Sequence, residues 1–198
     1  RLIAGQIFLH ACMTGMRMAT PLLALCEGYS AAAVGVLLAL FALTQVFLAL
    51  PAGRYADRHG LKRPVGIAVA MACVGAGASL VYPVFAVMCF SALLTGGAAG
   101  LAIIALQRHV GRAAHDTTQL RQVFSWLAIG PAVSNFIGPF CAGLMIDHAG
   151  SAAGSTEGYR AAFALMAILP LLTWLWVRDT VELPPVIAAA GGPPQRAW

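Results

Sequence analysis

Arg17 stands inside an apolar stretch that runs from about residue 2 to residue 26, and it does not stand alone. At about 100° per residue, Gln6, His10, Thr14 and Arg17 fall within roughly an 80° arc of one helix face, and Pro21 continues the row. The remaining surface of that helix is Leu, Ile, Met, Phe and Ala. A guanidinium in hydrocarbon costs at least ~2.5 kcal/mol unless it meets water or a partner. The stripe therefore reads as the lining of a polar cavity. Arg17 is suited to an anionic group of a ligand or to an internal carboxylate, and His10 is a possible proton carrier near neutral pH. The bland alternative has Arg17 snorkelling or paired with a segment elsewhere, and His10 packed and hydrogen-bonded. The cavity reading is preferred for Arg17 and the packing reading for His10. Gln45, Thr44, Ser134, Asn135 and Thr95 lie in other apolar stretches. Such side chains more often make interhelical hydrogen bonds worth about 0.6 kcal/mol than ligand contacts. Gln45 and Asn135 are retained as cavity candidates.

The elements that position these residues follow from composition. The 198-residue chain is 60% hydrophobic and 10% charged, with a mean hydropathy of +0.82. A soluble domain of this size would need more polar side chains to cover its exterior, so the bilayer is the solvent. Six stretches can cross about 30 Å of hydrocarbon as helices: 2–26, 31–51, 64–82, 84–106, 122–146 and 161–177. Lipid tolerates no unpaired backbone and nothing alternates like a barrel strand, so the fold class is an all-α membrane protein with six transmembrane helices. The chain opens with Arg1, which suggests a piece of a longer protein.

Charge placement sets the orientation. Ten basic residues fall on one side: Arg1, Arg54, Arg58, Lys62, Arg63, Arg108, Arg112, Arg121, Arg178 and Arg196. Arg160 alone falls on the other, with Glu27, Asp147 and Glu157. Such asymmetry places both termini in the cytoplasm and explains the basic balance without nucleic acid. The five cysteines lack C-x-x-C or Cys/His spacing and read as small hydrophobes, so neither a metal nor a cofactor is expected. Residues 1–182 form the bundle, and the Pro, Gly and Ala of 183–198 read as a flexible linker toward a further, C-terminal half.

GRYADRHG and GLMIDHAG share the pattern G-x-x-x-D-x-x-G at Gly53, Asp57, Gly60 and at Gly143, Asp147, Gly150. Each closes the middle helix of a three-helix set. Three is odd, so the two copies fall on opposite membrane faces, as in two inverted three-helix repeats.

Six helices, this polar connection and the Pro/Gly tail resemble the N-terminal half of a major facilitator superfamily transporter. The family's loop signature is matched at Gly53, Ala56, Asp57, Arg58, Gly60 and Lys62, with Leu61 where a basic residue is usual and Arg63 one position later. The resemblance implies a conformational switch in this loop, in which Gly53 permits close helix approach and Asp57 meets the positive end of a helix from the other half. A second stretch, GPAVSNFIGPFCAG, is similar to the fifth-helix motif of drug and metabolite exporters at Gly138, Pro139 and Gly143. Ala142 replaces a glycine there, and Ser125 and Ser134 stand where the longer form of the motif has glycines, all small residues. The resemblance implies no enzyme but a secondary active transporter of the bacterial inner membrane. It would expel small hydrophobic or amphipathic compounds by proton-coupled alternating access, with the bilayer, a small-molecule substrate, protons and the C-terminal half as partners. The fourth helix departs from the exporter pattern: ALLTG, residues 92–96, lacks its arginine, and the first helix has no acidic residue. An importer of an organic anion or other metabolite is the alternative, as is a non-transporting receptor or assembly protein on the same scaffold. An intramembrane serine protease fits poorly, since no Gly follows Ser79 and the sixth helix has no histidine.

Overall fold

The structure, a computed structural model, describes residues 2–113, 117–150 and 156–180. Arg1 and the expected linker at 183–198 lie outside them. All six expected segments are helices: α1 (Leu2–Cys26), α2 (Ala31–His59), α3 (Lys62–Val81), α4 (Phe85–Ala113), α5 (Thr117–Ala149) and α6 (Thr156–Val177).

Three helices run well past their apolar segments. At 1.5 Å per residue the 29 residues of α2 reach about 44 Å, beyond the roughly 30 Å of hydrocarbon. Hydropathy marks where lipid stops; the backbone stops where a residue forces it to. In α2 that residue is Gly60, at φ 73°, whose N–H closes on the Ala56 carbonyl at 3.0 Å. GRYADRHGLKR is therefore not a loop. Its first seven residues are the last two turns of α2, Lys62 and Arg63 begin α3, and only Gly60 and Leu61 connect them. Arg108 and Arg112 likewise lie on α4, where basic residues suit the helix C-terminus, and Arg121 lies in the second turn of α5. On the opposite face the Ser30 hydroxyl caps α2 by accepting the Ala33 N–H at 3.3 Å. Arg160 Nε donates to the Leu80 carbonyl at the end of α3, 3.1 Å away.

Five helices are long and apolar enough to cross a membrane; α1, though 25 residues long, does not reach that hydropathy. Gln6, His10 and Arg17 are the reason. The helix does not need a lipid-compatible exterior, because α4, α5 and α6 enclose it and most of its side chains are buried.

The packing scheme carries the repeat. Helix α1 rests chiefly on α5 and α6, α4 chiefly on α2 and α3, and the two sets meet through α1 with α4 and α3 with α6. Exchanging the first three helices for the last three leaves that scheme unchanged. A shift of 90 residues also carries individual contacts onto one another: Arg108 over Gly53 becomes Met18 against Gly143, once the two helices of each pair are exchanged. Thr44 beside Gly97 is likewise the image of Ser134 bonded to Ile7. The fold is two inverted three-helix repeats.

Small residues and hydroxyls hold the seams, because lipid gives helices no hydrophobic reason to associate. A Cβ at Gly138 would meet Ala11 O, Thr14 Oγ1 and Gly15 N of α1, and one at Gly96 would meet the Phe41 backbone of α2. Thr14 Oγ1 donates to Ser134 O at 2.8 Å, Ser134 Oγ to Ile7 O at 3.0 Å, and Thr173 Oγ1 to Gly5 O at 2.8 Å. All five cysteines are free thiols.

Candidate functional site

The polar stripe of α1 divides at the α5 seam. Thr14 turns into the seam and is 4% exposed, its hydroxyl committed to Ser134 and to the Ala11 carbonyl at 3.2 Å. Gln6, 7% exposed, packs against Gly130 of α5, and both of its amide atoms lack a hydrogen-bond partner. Thr14 borders no cavity, and Gln6 borders only a small apolar void of about 20 Å³ between α1, α3, α4 and α6. Arg17, by contrast, is exposed, and it has no ion-pair or hydrogen-bond partner among the described residues. His10, two turns earlier on the same row, is half-buried and likewise without a hydrogen-bond partner.

The seam is anchored on Ile7, Ala11 and Thr14 of α1 and on Ser134 and Gly138 of α5. From these anchors, at about 100° per residue, His10 and Arg17 project to one flank, and Asn135 of α5 projects to the same flank. Asn135 is exposed. The 90-residue shift makes Gln45 the image of Asn135 and Gly100 the image of His10. On the α2·α4 side Gln45 lies over Gly100, where a Cβ would stand 3.3 Å from its Cγ. On the α1·α5 side an imidazole occupies the place of that glycine and Asn135 is left outward. The repeat thus has one closed seam flank and one polar, open one.

Toward the near end of the same helices lies a cleft of about 450 Å³, lined by Leu2 and Ile3 of α1, Val110 of α4, Val123 and Leu127 of α5, and Asp179 and Thr180 after α6. Helices α4 and α5 scarcely touch, which leaves the cleft open. Its walls on α1 and α5 end at Ile3 and Leu127, two turns of helix before His10 and Asn135.

The second candidate site is the end of α2. Asp57 forms an ion pair with Arg108 of α4. The guanidinium lies across Gly53, one turn before Asp57, where a Cβ would come within 2.9 Å of Nη2. This explains the spacing: a glycine four residues before the aspartate gives the arginine a smooth track over the helix to reach its carboxylate. Within this chain, then, Asp57 already meets one cation, Arg108. Sequence reasoning missed Arg108 because nothing local links residues 51 positions apart. Arg58 and Arg63 are exposed, while Lys62 is engaged. In the fifth-helix motif, Gly138 is the point of closest approach to α1, Pro139 follows it within α5, and Gly143 receives Met18.

A twofold-repeated bundle of six helices, five of them long and apolar enough to cross a membrane, with an exposed arginine inside the span of α1 that has no partner among the described residues, is a polytopic membrane protein. Residues 2–197 match the Major Facilitator Superfamily, and the chain belongs to that family of membrane transporters, its six helices corresponding to an N-terminal half. No curated protein matches the chain.

Proposed function

We propose that the bundle is one wall of an alternating-access secondary transporter that exports small hydrophobic or amphipathic compounds in exchange for protons, completed by a second six-helix half. Arg17 carries this reading: a charge kept exposed and unpaired within a membrane span is costly unless a ligand uses it. His10, on the same row of α1, is the neighbouring side chain whose chemistry can carry a proton. The unsatisfied amide of buried Gln6 costs about 1–3 kcal/mol, a penalty that rearrangement along the seam would relieve. The exporter-like motif of α5 supports outward transport, and the excess of basic residues supports cytoplasmic ends in a bacterial inner membrane. One observation favours a second reading, transport of an organic anion: Glu27, Asp57, Asp147, Glu157 and Asp179 all lie at helix ends, so no described carboxylate of this half neutralises Arg17.

Cells expressing the protein with its second half should expel an amphipathic dye, and a protonophore should stop them. In the same cells a cysteine replacing Tyr82 should react with an impermeant maleimide from outside, and one replacing Asp179 should not. Dye retention without the protonophore, or reversed labelling, would overturn the respective part of the reading.

Asp57 acts in this scheme as a latch at the cytoplasmic end. Its pair with Arg108 is 39% and 47% exposed at the two side chains, so it contributes no more than about 1 kcal/mol. Asp57→Asn is expected to slow transport several-fold, leave substrate binding intact and shift unfolding by no more than about 1 kcal/mol. Arg108→Gln should reproduce it. Normal transport in Arg108→Gln would assign the latch to a different partner.

A further inference from the structure

Helices α2 and α3 are joined by two residues yet barely touch beyond them. They diverge around a groove of about 360 Å³, walled by Leu48, Pro51 and Tyr55 of α2, Ile67 and Met71 of α3, and Leu101 of α4. This is more than ten times the roughly 30 Å³ of a water, and its walls offer water almost nothing to bond. Its natural filling is hydrocarbon.

The residues above the groove are of another kind. On α2, Arg58 follows Tyr55 by three positions and Pro51 by seven, so it continues the groove-lining row past its end. On α3, Arg63 precedes Ile67 by four and Met71 by eight, extending the opposite wall to the same end. Both arginines are exposed, and neither has an ion-pair or hydrogen-bond partner among the described residues. The basic neighbours that are engaged, Arg108 with Asp57 and Lys62, do not extend these rows in the same way.

We propose that this groove binds an anionic glycerophospholipid of the leaflet facing the α2–α3 turn, one acyl chain lying along Pro51, Ile67 and Met71 and the phosphate held between Arg58 and Arg63. The apolar trough selects a lipid over a soluble anion. The paired guanidinium groups select a net negative headgroup over a choline, whose cation would face two unneutralised charges.

Native mass spectrometry of the chain released from nanodiscs of equal phosphatidylglycerol and phosphatidylcholine, with matched acyl chains, tests this. The wild-type chain is expected to retain phosphatidylglycerol about tenfold over phosphatidylcholine. The double variant Arg58→Gln/Arg63→Gln should fall to near parity. The control Arg121→Gln/Arg178→Gln, equal in charge and carried by α5 and the end of α6 away from the groove, should keep the preference. Ile67→Trp, which fills the trough at an exposed position, should lose the lipid with both arginines in place. The proposal fails if the control loses as much as the double variant, if Ile67→Trp retains the lipid, or if inorganic phosphate displaces it.

Discussion

Arg17→Ala should lower transport by at least about tenfold while the protein reaches the membrane in undiminished amount. A charge-assisted hydrogen bond to a ligand is worth about 1.5–3 kcal/mol, and each 1.4 kcal/mol is a factor of ten. Abundance should hold because Arg17 has no partner among the described residues whose loss would loosen the bundle. Removing an unpaired charge from a span also eases insertion, by ~2.5 kcal/mol or more. Arg17→Lys should restore part of the activity, since an ammonium keeps the charge but not the planar fork. Transport assays paired with immunoblots of membrane fractions decide the matter. Equal losses of activity and abundance would make Arg17 a structural residue, and unchanged transport would remove it from the substrate path.

Gly138→Val should unfold the bundle more readily than any substitution at an open glycine. The added carbon would press on the Ala11 carbonyl, the Gly15 nitrogen and the Thr14 hydroxyl, three atoms of α1 that have no flexible side chain through which to yield. Overpacking of this kind costs about 1–3 kcal/mol, and separating the seam also strains the Thr14 to Ser134 and Ser134 to Ile7 hydrogen bonds, adding roughly 0.6 kcal/mol each. A loss of about 3 kcal/mol in denaturant or thermal unfolding in detergent is expected. Gly35→Ala, where a Cβ meets nothing within 4 Å, is the control and should be nearly neutral. Similar stability for the two variants would show that α1 and α5 are not held by close approach.

Much of this was legible because lipid simplifies the problem. A chain that must satisfy its backbone internally has few options, so six apolar segments became six helices in place. The ends were not legible, since hydropathy follows the solvent and not the hydrogen-bond ladder. Residues 53–59 read as a polar loop and are helix, and it is the next residue, Gly60, that takes a conformation able to stop one. The period put Gln6, His10, Thr14 and Arg17 on one row of α1, which is a helix throughout. Which neighbour that face met was not in the period, so Thr14 and Gln6 went into a seam while Arg17, on the same row, stayed open. Arg108 looked like one more orienting charge, and its function as the partner of Asp57 depends on a helix contact that no local pattern encodes. The repeat was visible at three positions and proved to extend to contacts such as Thr44 with Gly97 and Ser134 with Ile7, where residue identity had diverged and only geometry was kept.

A scaffold whose contacts map onto themselves has no inherent preference for opening at one end or the other; any preference resides in the positions where the copies differ. Arg108 and Met18 are such a pair. At one end of the bundle a guanidinium crosses Gly53 to reach Asp57; at the other a thioether rests on Gly143, and Asp147 has no cation in the corresponding place. The first contact weakens as counterions accumulate, because surface charges are screened within about 8 Å at physiological ionic strength. The second is dispersion and does not respond to salt at all. Ionic strength on one side of the membrane is thus a one-sided handle on this two-ended machine, loosening the end fastened by charge and leaving untouched the end fastened by grease.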